Sequence, residues 1–157
     1  MPQPSISTRT HPSAMRIVLL LIGLVLLGNV CAEEPADALE NAYQAARQTY
    51  RAHHYDDAVR MIEALLLTHP DCARCAHLLG KSYGRLAQRA NWLSAMEFAR
   101  KTCNAFELAV RLDPENEDTM EDLIRYYRAA PGFLGGGRDK AKALEQRLRE
   151  LQTKHAG

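Results

Sequence analysis

Two stretches of the chain hold residue types that could do chemistry. The first is "HPDCARCAH" (residues 69–77), where Cys72 and Cys75 are separated by two residues and flanked by His69 and His77. Thiols at that spacing can attach haem, exchange electrons or bind zinc, because a thiolate is at once a nucleophile, a redox centre and a soft ligand. Haem attachment needs C-x-x-C-H, but Ala76 occupies the histidine position and His77 comes one residue later. A thioredoxin-type pair sits on a βαβ scaffold, of which the sequence shows no sign. His69, Cys72, Cys75 and His77 could offer four zinc ligands, but their spacing matches no standard site. The plainer uses are a Cys72–Cys75 disulfide or a Cys75–Cys103 cross-link between two helices. Cys103 lies on an apolar stripe, where it could also serve as a small buried residue.

The second stretch is "APGFLGGGRDKA" (residues 130–141). Gly132 and Gly137 have the spacing of a phosphate-binding loop, which continues G-K-[ST] after a strand. Here Arg138 and Asp139 follow, and the preceding segment is helical. The glycines are expected to supply positive backbone angles in a long helix–helix turn, with Phe133 and Leu134 tucked in as a plug. No catalytic constellation stands out. The histidines are scattered, and no serine or cysteine sits in a nucleophile motif. The chain is therefore expected to lack catalysis and cofactors.

The elements that position these stretches begin after a leader. Residues 1–32 end a polar segment at Arg16, run through eleven apolar residues ("IVLLLIGLVLL") and reach "GNVCA". That length suits an export-signal core and is short for a membrane span. Cleavage is expected after Ala32, leaving residues 33–157 as one domain in the periplasm or cell envelope, without stable membrane insertion. Lipidation of Cys31 and an uncleaved anchor are the rivals, and Met15 is an alternative start. The 20 Lys and Arg include Arg9 and Arg16, so the mature chain has 18 against 19 acids, a net charge of −1. That balance, with few aromatics, excludes the basic footprint of a nucleic-acid binder.

The mature region reads as six helices. Leu39, Tyr43, Ala46 and Tyr50 form one face of the first, and Ala58, Ile62, Leu65 and Leu66 one face of the second. "HPD" ends the second, because proline lacks an amide donor. The third carries Cys75, Leu79, Tyr83 and Leu86. The fourth (about 92–112) has two stripes, Trp92–Met96–Ala99–Cys103–Phe106–Val110 and Phe98–Thr102–Ala105–Ala109–Leu112, so it is expected to lie between neighbours. The fifth holds Met120, Leu123, Ile124 and Tyr127. The last has one narrow stripe (Ala141, Leu144, Leu148, Leu151), as an end cap would.

Helix pairs punctuated by Pro70 and Pro114 point to a repeat. Leu79, Gly80 and Tyr83 in "LLGKSYG" match the L-G-x-x-Y core of the tetratricopeptide repeat, and "AFELAVRLDPEN" resembles the end of one. The sequence resembles about three such repeats over residues 36–152. The first has Ala45 and Ala46 in place of the Leu-Gly pair. The middle one runs 44 residues between prolines instead of 34, with ten extra near "QRANWLSAMEF".

The resemblance implies an all-α, antiparallel helix-pair superhelix whose first helices line a concave, partner-binding face. The family's face positions fall on Tyr43, Arg47, Tyr50 and Arg51, then His77, Lys81 and Arg85, then Glu121, Arg125 and Arg128. Arg47, Lys81 and Arg125 share one repeat position, a basic stripe suited to an acidic peptide or carboxylate. The expected function is an exported adaptor for a protein or peptide. The rival is an envelope accessory using Cys72 and Cys75 for metal or thiol redox chemistry, for instance in cytochrome maturation.

Overall fold

The computed structural model describes residues 35–156; the leader and its expected cleavage site lie outside the described residues. Six helices follow one another: α1 (Pro35–Arg51), α2 (Tyr55–Thr68), α3 (Ala73–Arg89), α4 (Trp92–Leu112), α5 (Glu117–Ala129) and α6 (Arg138–His155). A short 3₁₀ turn, Gly132–Leu134, stands between α5 and α6, and no strand occurs among the described residues. Consecutive helices pack as antiparallel pairs.

Local chemistry sets the boundaries. Asn91 and Asn116 cap α4 and α5 by accepting from the amides of Ser94 and Thr119 at 3.1 and 3.0 Å, satisfying donors that a helix start leaves unpaired. His53 ends α1 in the left-handed region (φ 66°), with its own amide on Tyr50 O and that of His54 on Thr49 O. That pair of bonds closes a helix end where glycine is usual.

Two apolar clusters form the core. Ala46, Ala58, Ile62, Cys75 and Leu79 belong to the first, built from α1–α3; Phe106, Met120, Leu123, Ala141 and Leu151 belong to the second, built from α4–α6. Helix α4 joins them, giving Ala105 to one and Cys103, Phe106 and Val110 to the other. Its expected position between neighbours is observed from Thr102 onward. Its first turn departs from expectation: Trp92 is 74% exposed. The extra residues of the middle repeat form helix. α3 has 17 residues and α4 has 21, joined by only Ala90 and Asn91.

The Leu79–Gly80–Tyr83 core behaves as a close helix crossing. Gly80 presents bare backbone to the Phe106 ring of α4, while Tyr83 is buried and donates its hydroxyl to Glu63 of α2. Tyr83 thereby ties the third helix to the second, and Gly80 ties it to the fourth.

Candidate functional site

The ten expected face residues line three depressions, two among α1, α3 and α5 and a third between α5 and α6. The first, about 280 Å³, is lined by Tyr43, Arg47, Tyr50, Arg51, His77 and Lys81, with Asp118 beside them. The second, about 320 Å³, shares Tyr50 and Lys81 and adds Arg85, Asp122 and Arg125 over a floor of Gly80, Thr102 and Phe106. The third, about 540 Å³, shares Arg125 and adds Glu121, Arg128 and Glu145. Helical register places these side chains: positions 43, 47, 50 and 51 fall on one face of α1, and 77, 81 and 85 on one face of α3.

The charges divide the face into two unlike halves. Arg125 is bonded to Asp122 at 3.0 Å and Arg128 to Glu145 at 2.8 Å, so the α5 end is largely neutralised within the fold. Among the described residues, Arg47, Arg51, Lys81 and Arg85 make no ion pair; Arg47 and Arg85 reach only the amide oxygens of Gln44 and Gln88. Arg74, paired with Glu40, stands 4.6 Å over the Tyr43 ring and supports that wall. The positive charge held in no ion pair is thus concentrated between α1 and α3, with Asp118 and Asp122 nearby, which differs from the even stripe through Arg47, Lys81 and Arg125.

Asp122 is the main addition to the sequence reading. Its carboxylate accepts from His77 Nε2 at 2.8 Å, bridging α3 to α5 with both side chains mostly buried. Burial alone would raise its pKa. The His77 hydrogen bond and the positive charges of His77, Lys81 and Arg125 outweigh that and hold it below the usual carboxylate value. The signal was present in the spacing, since residues 118, 122 and 125 share a face of α5.

The cysteines resolve the open alternatives. Cys72 and Cys75 form a disulfide at the start of α3. Cys103 is a buried free thiol, which corrects the possible Cys75–Cys103 cross-link: its sulfur faces Gly135 and Glu107, on the side away from α3's first turn. Burial, and then the Glu107 carboxylate, push its pKa up to about 11. The zinc reading loses its donors, because both sulfurs are consumed by each other and His77 is held by Asp122. Among the described residues no group of three or more His, Cys, Asp or Glu is placed to hold a metal.

The glycine loop is closed on itself. The amides of Leu134, Gly135, Gly136 and Gly137 donate to carbonyls of Pro131, Gly132, Pro131 and Tyr127 at 2.9–3.2 Å. Donors that could have cradled an anion are therefore used within the turn. Only Gly135 has a positive φ (93°), and Gly136 is needed because a Cβ there would overlap Ala130 O. Phe133 is no plug: it is 68% exposed.

The fold is that of a tetratricopeptide-like helical repeat. Among solved structures, the MamA RS-1 ArsTM double mutant, itself a tetratricopeptide-like protein, superposes with a TM-score of 0.59 at 19% identity, covering 92% of this chain and 68% of that one. No protein-family model matches the chain, and no curated protein matches it in sequence. No described helix is long and apolar enough to cross a membrane.

Proposed function

We propose that the protein is an exported, non-catalytic adaptor that holds an acidic segment of a partner protein on the α1–α3 half of its inner face. The observation that carries this reading is the cluster of Arg47, Arg51, Lys81 and Arg85 around Tyr43 and Tyr50, none of them in an ion pair among the described residues. Guanidinium groups bind carboxylates through two parallel hydrogen bonds, and the tyrosines add rigid surface at little entropic cost. Helical repeats commonly present such extended faces to partners.

The test reverses Arg47, Lys81 and Arg85 to Glu. Helix propensity is nearly unchanged, because Arg, Lys and Glu rank close together. The variant should keep its circular dichroism and melting but lose the partner set that wild type captures from envelope extract. Wild-type capture should weaken with salt, since the Debye length is about 10 Å at 0.1 M. Arg147→Glu with Arg149→Glu, on α6, should leave capture intact. Unchanged capture by the triple variant refutes the groove.

A further inference from the structure

The two ends of the helix stack carry opposite charge. At one end lie the α1–α2, α3–α4 and α5–α6 connections. Residues 51–57, 85–93 and 128–142 there hold seven Lys or Arg against three acids; Arg128 and Lys140 pair with Glu145 and Glu107 and Arg51 and Arg85 line the inner depressions, which leaves Arg89, Arg138 and Lys142. At the other end, the α2–α3 and α4–α5 connections, residues 67–74 and 112–118, hold one Arg against five acids. The basic end also bears exposed apolar side chains: Trp92 (74%), Leu93 (63%) and Phe133 (68%).

These three lie at the same end of the stack. The Tyr126 hydroxyl stands 2.7 Å from the carbonyls of both Ala99 and Leu134, and Gly135 lies against Cys103. The α5–α6 turn therefore runs along α4 beside Ala99 and Cys103, about two to three turns in from Trp92 and Leu93. Gly132, next to Phe133, has open space where a Cβ would be, so the turn projects outward.

We propose that this end docks on an anionic lipid surface, with Trp92, Leu93 and Phe133 entering the interface and Arg89, Arg138 and Lys142 facing lipid phosphates. Tryptophan prefers the membrane–water boundary, where its ring is partly apolar and its N–H stays solvated. Basic side chains at such a boundary add attraction that decays within a Debye length. At the opposite end Lys154 and His155 of α6 meet Glu115 and Glu117, which leaves Asp71, Asp113 and Asp118 of the counted acids to face away from the same plane. A protein partner is the weaker match, because anchor residues on protein surfaces fill pockets, whereas these stand out from one end. With Arg51 and Arg85 left to the groove, this docking rests on Arg89, Arg138 and Lys142 and does not depend on the adaptor face.

Trp92 is the single tryptophan of the chain, so its emission reports on this end whatever other segment touches lipid. The exported protein is titrated with phosphatidylglycerol–phosphatidylcholine vesicles and with phosphatidylcholine vesicles alone. The expected result is a blue shift and quenching by brominated lipid with the anionic vesicles only, both reversed by about 0.5 M salt, where screening is nearly complete. Leu93→Ser with Phe133→Ser retains the reporter and should lower partitioning about tenfold or more, given the apolar area lost. Its unchanged melting serves as the folding control. Emission that stays unmoved by anionic vesicles, or moves equally with neutral ones, overturns the proposal. So does emission that ignores vesicles yet shifts on adding envelope protein, which would make this end a protein contact.

Discussion

A Cβ built on Gly80 would lie 2.5 Å from Cδ1 of Phe106, closer than real side chains approach. The α3–α4 crossing is therefore set by the absence of one methyl group. Gly80→Ala should lower stability by about 1–3 kcal/mol through overpacking, and Gly80→Leu by more. Thermal melting checks both. Phe106→Leu in the Gly80→Ala background should recover part of the loss, since residues in contact couple. Independent, additive effects of the two changes would show that Gly80 and Phe106 do not share this contact.

The α5–α6 turn makes a graded prediction about its glycines. A side chain at Gly136 collides with the backbone of Ala130, and one at Gly135 meets a positive φ and the Cys103 sulfur at 2.7 Å. At Gly132 it meets nothing within 4 Å. Alanine should thus be tolerated at Gly132 and cost about 1–3 kcal/mol at Gly135 and Gly136, the range for strained backbone. Nucleotide titration of the wild type by calorimetry should be silent. Saturable binding lost in Gly136→Val would mean the turn opens to take an anion.

The helices were legible because their punctuation is local. Pro70 and Pro114 stop α2 and α4, Asn91 and Asn116 cap α4 and α5, and Leu79–Gly80–Tyr83 marks the close crossing. The tetratricopeptide resemblance then put Tyr43, Arg47, Lys81 and Arg125 on one face. What could not be read is which charges cancel. Arg125 is neutralised by Asp122, three residues before it, while Asp122 also reaches His77, 45 residues away. That choice depends on how α3 meets α5, a long-range matter. Phe133 and Trp92 misled for a related reason: an apolar residue at a helix end or turn is buried only if a neighbour extends far enough to cover it.

Thiol chemistry should separate the cysteines. Under non-reducing conditions residues 33–157, expressed without the leader, should show one reactive thiol, Cys103, and only after denaturation. Replacing Cys72 and Cys75 with Ser should cost about 2 kcal/mol, as expected for closing so short a loop. The pKa of Cys103 near 11 adds an alkaline test. A thiol raised above its unfolded value of about 8.5 contributes stability that is full below that pH and lost as pH rises towards the folded value. Between pH about 8.5 and 10, before most tyrosines titrate, wild type should lose stability and Cys103→Ala should not. Parallel slopes for the two proteins would show that Cys103 is not the group responsible.

Asp122 makes the opposite prediction, at acid pH. Its folded pKa is depressed, so its contribution is full above the unfolded value of about 3.9 and lost as pH falls through the folded one. Asp122→Asn should lower stability at pH 7 by about 1–3 kcal/mol, the range for a charged hydrogen bond, and flatten the acid limb below pH about 4. The same change releases Arg125 from its pair and raises the charge of the face by one. If the face binds an acidic segment, partner capture by Asp122→Asn should strengthen while stability falls. A control variant, His77→Gln, weakens the α3–α5 bridge but leaves the Asp122–Arg125 pair, so it should lose stability with no gain in capture. Capture that falls in both variants would mean that the bridge shapes the groove and that the charge released at Arg125 does not matter.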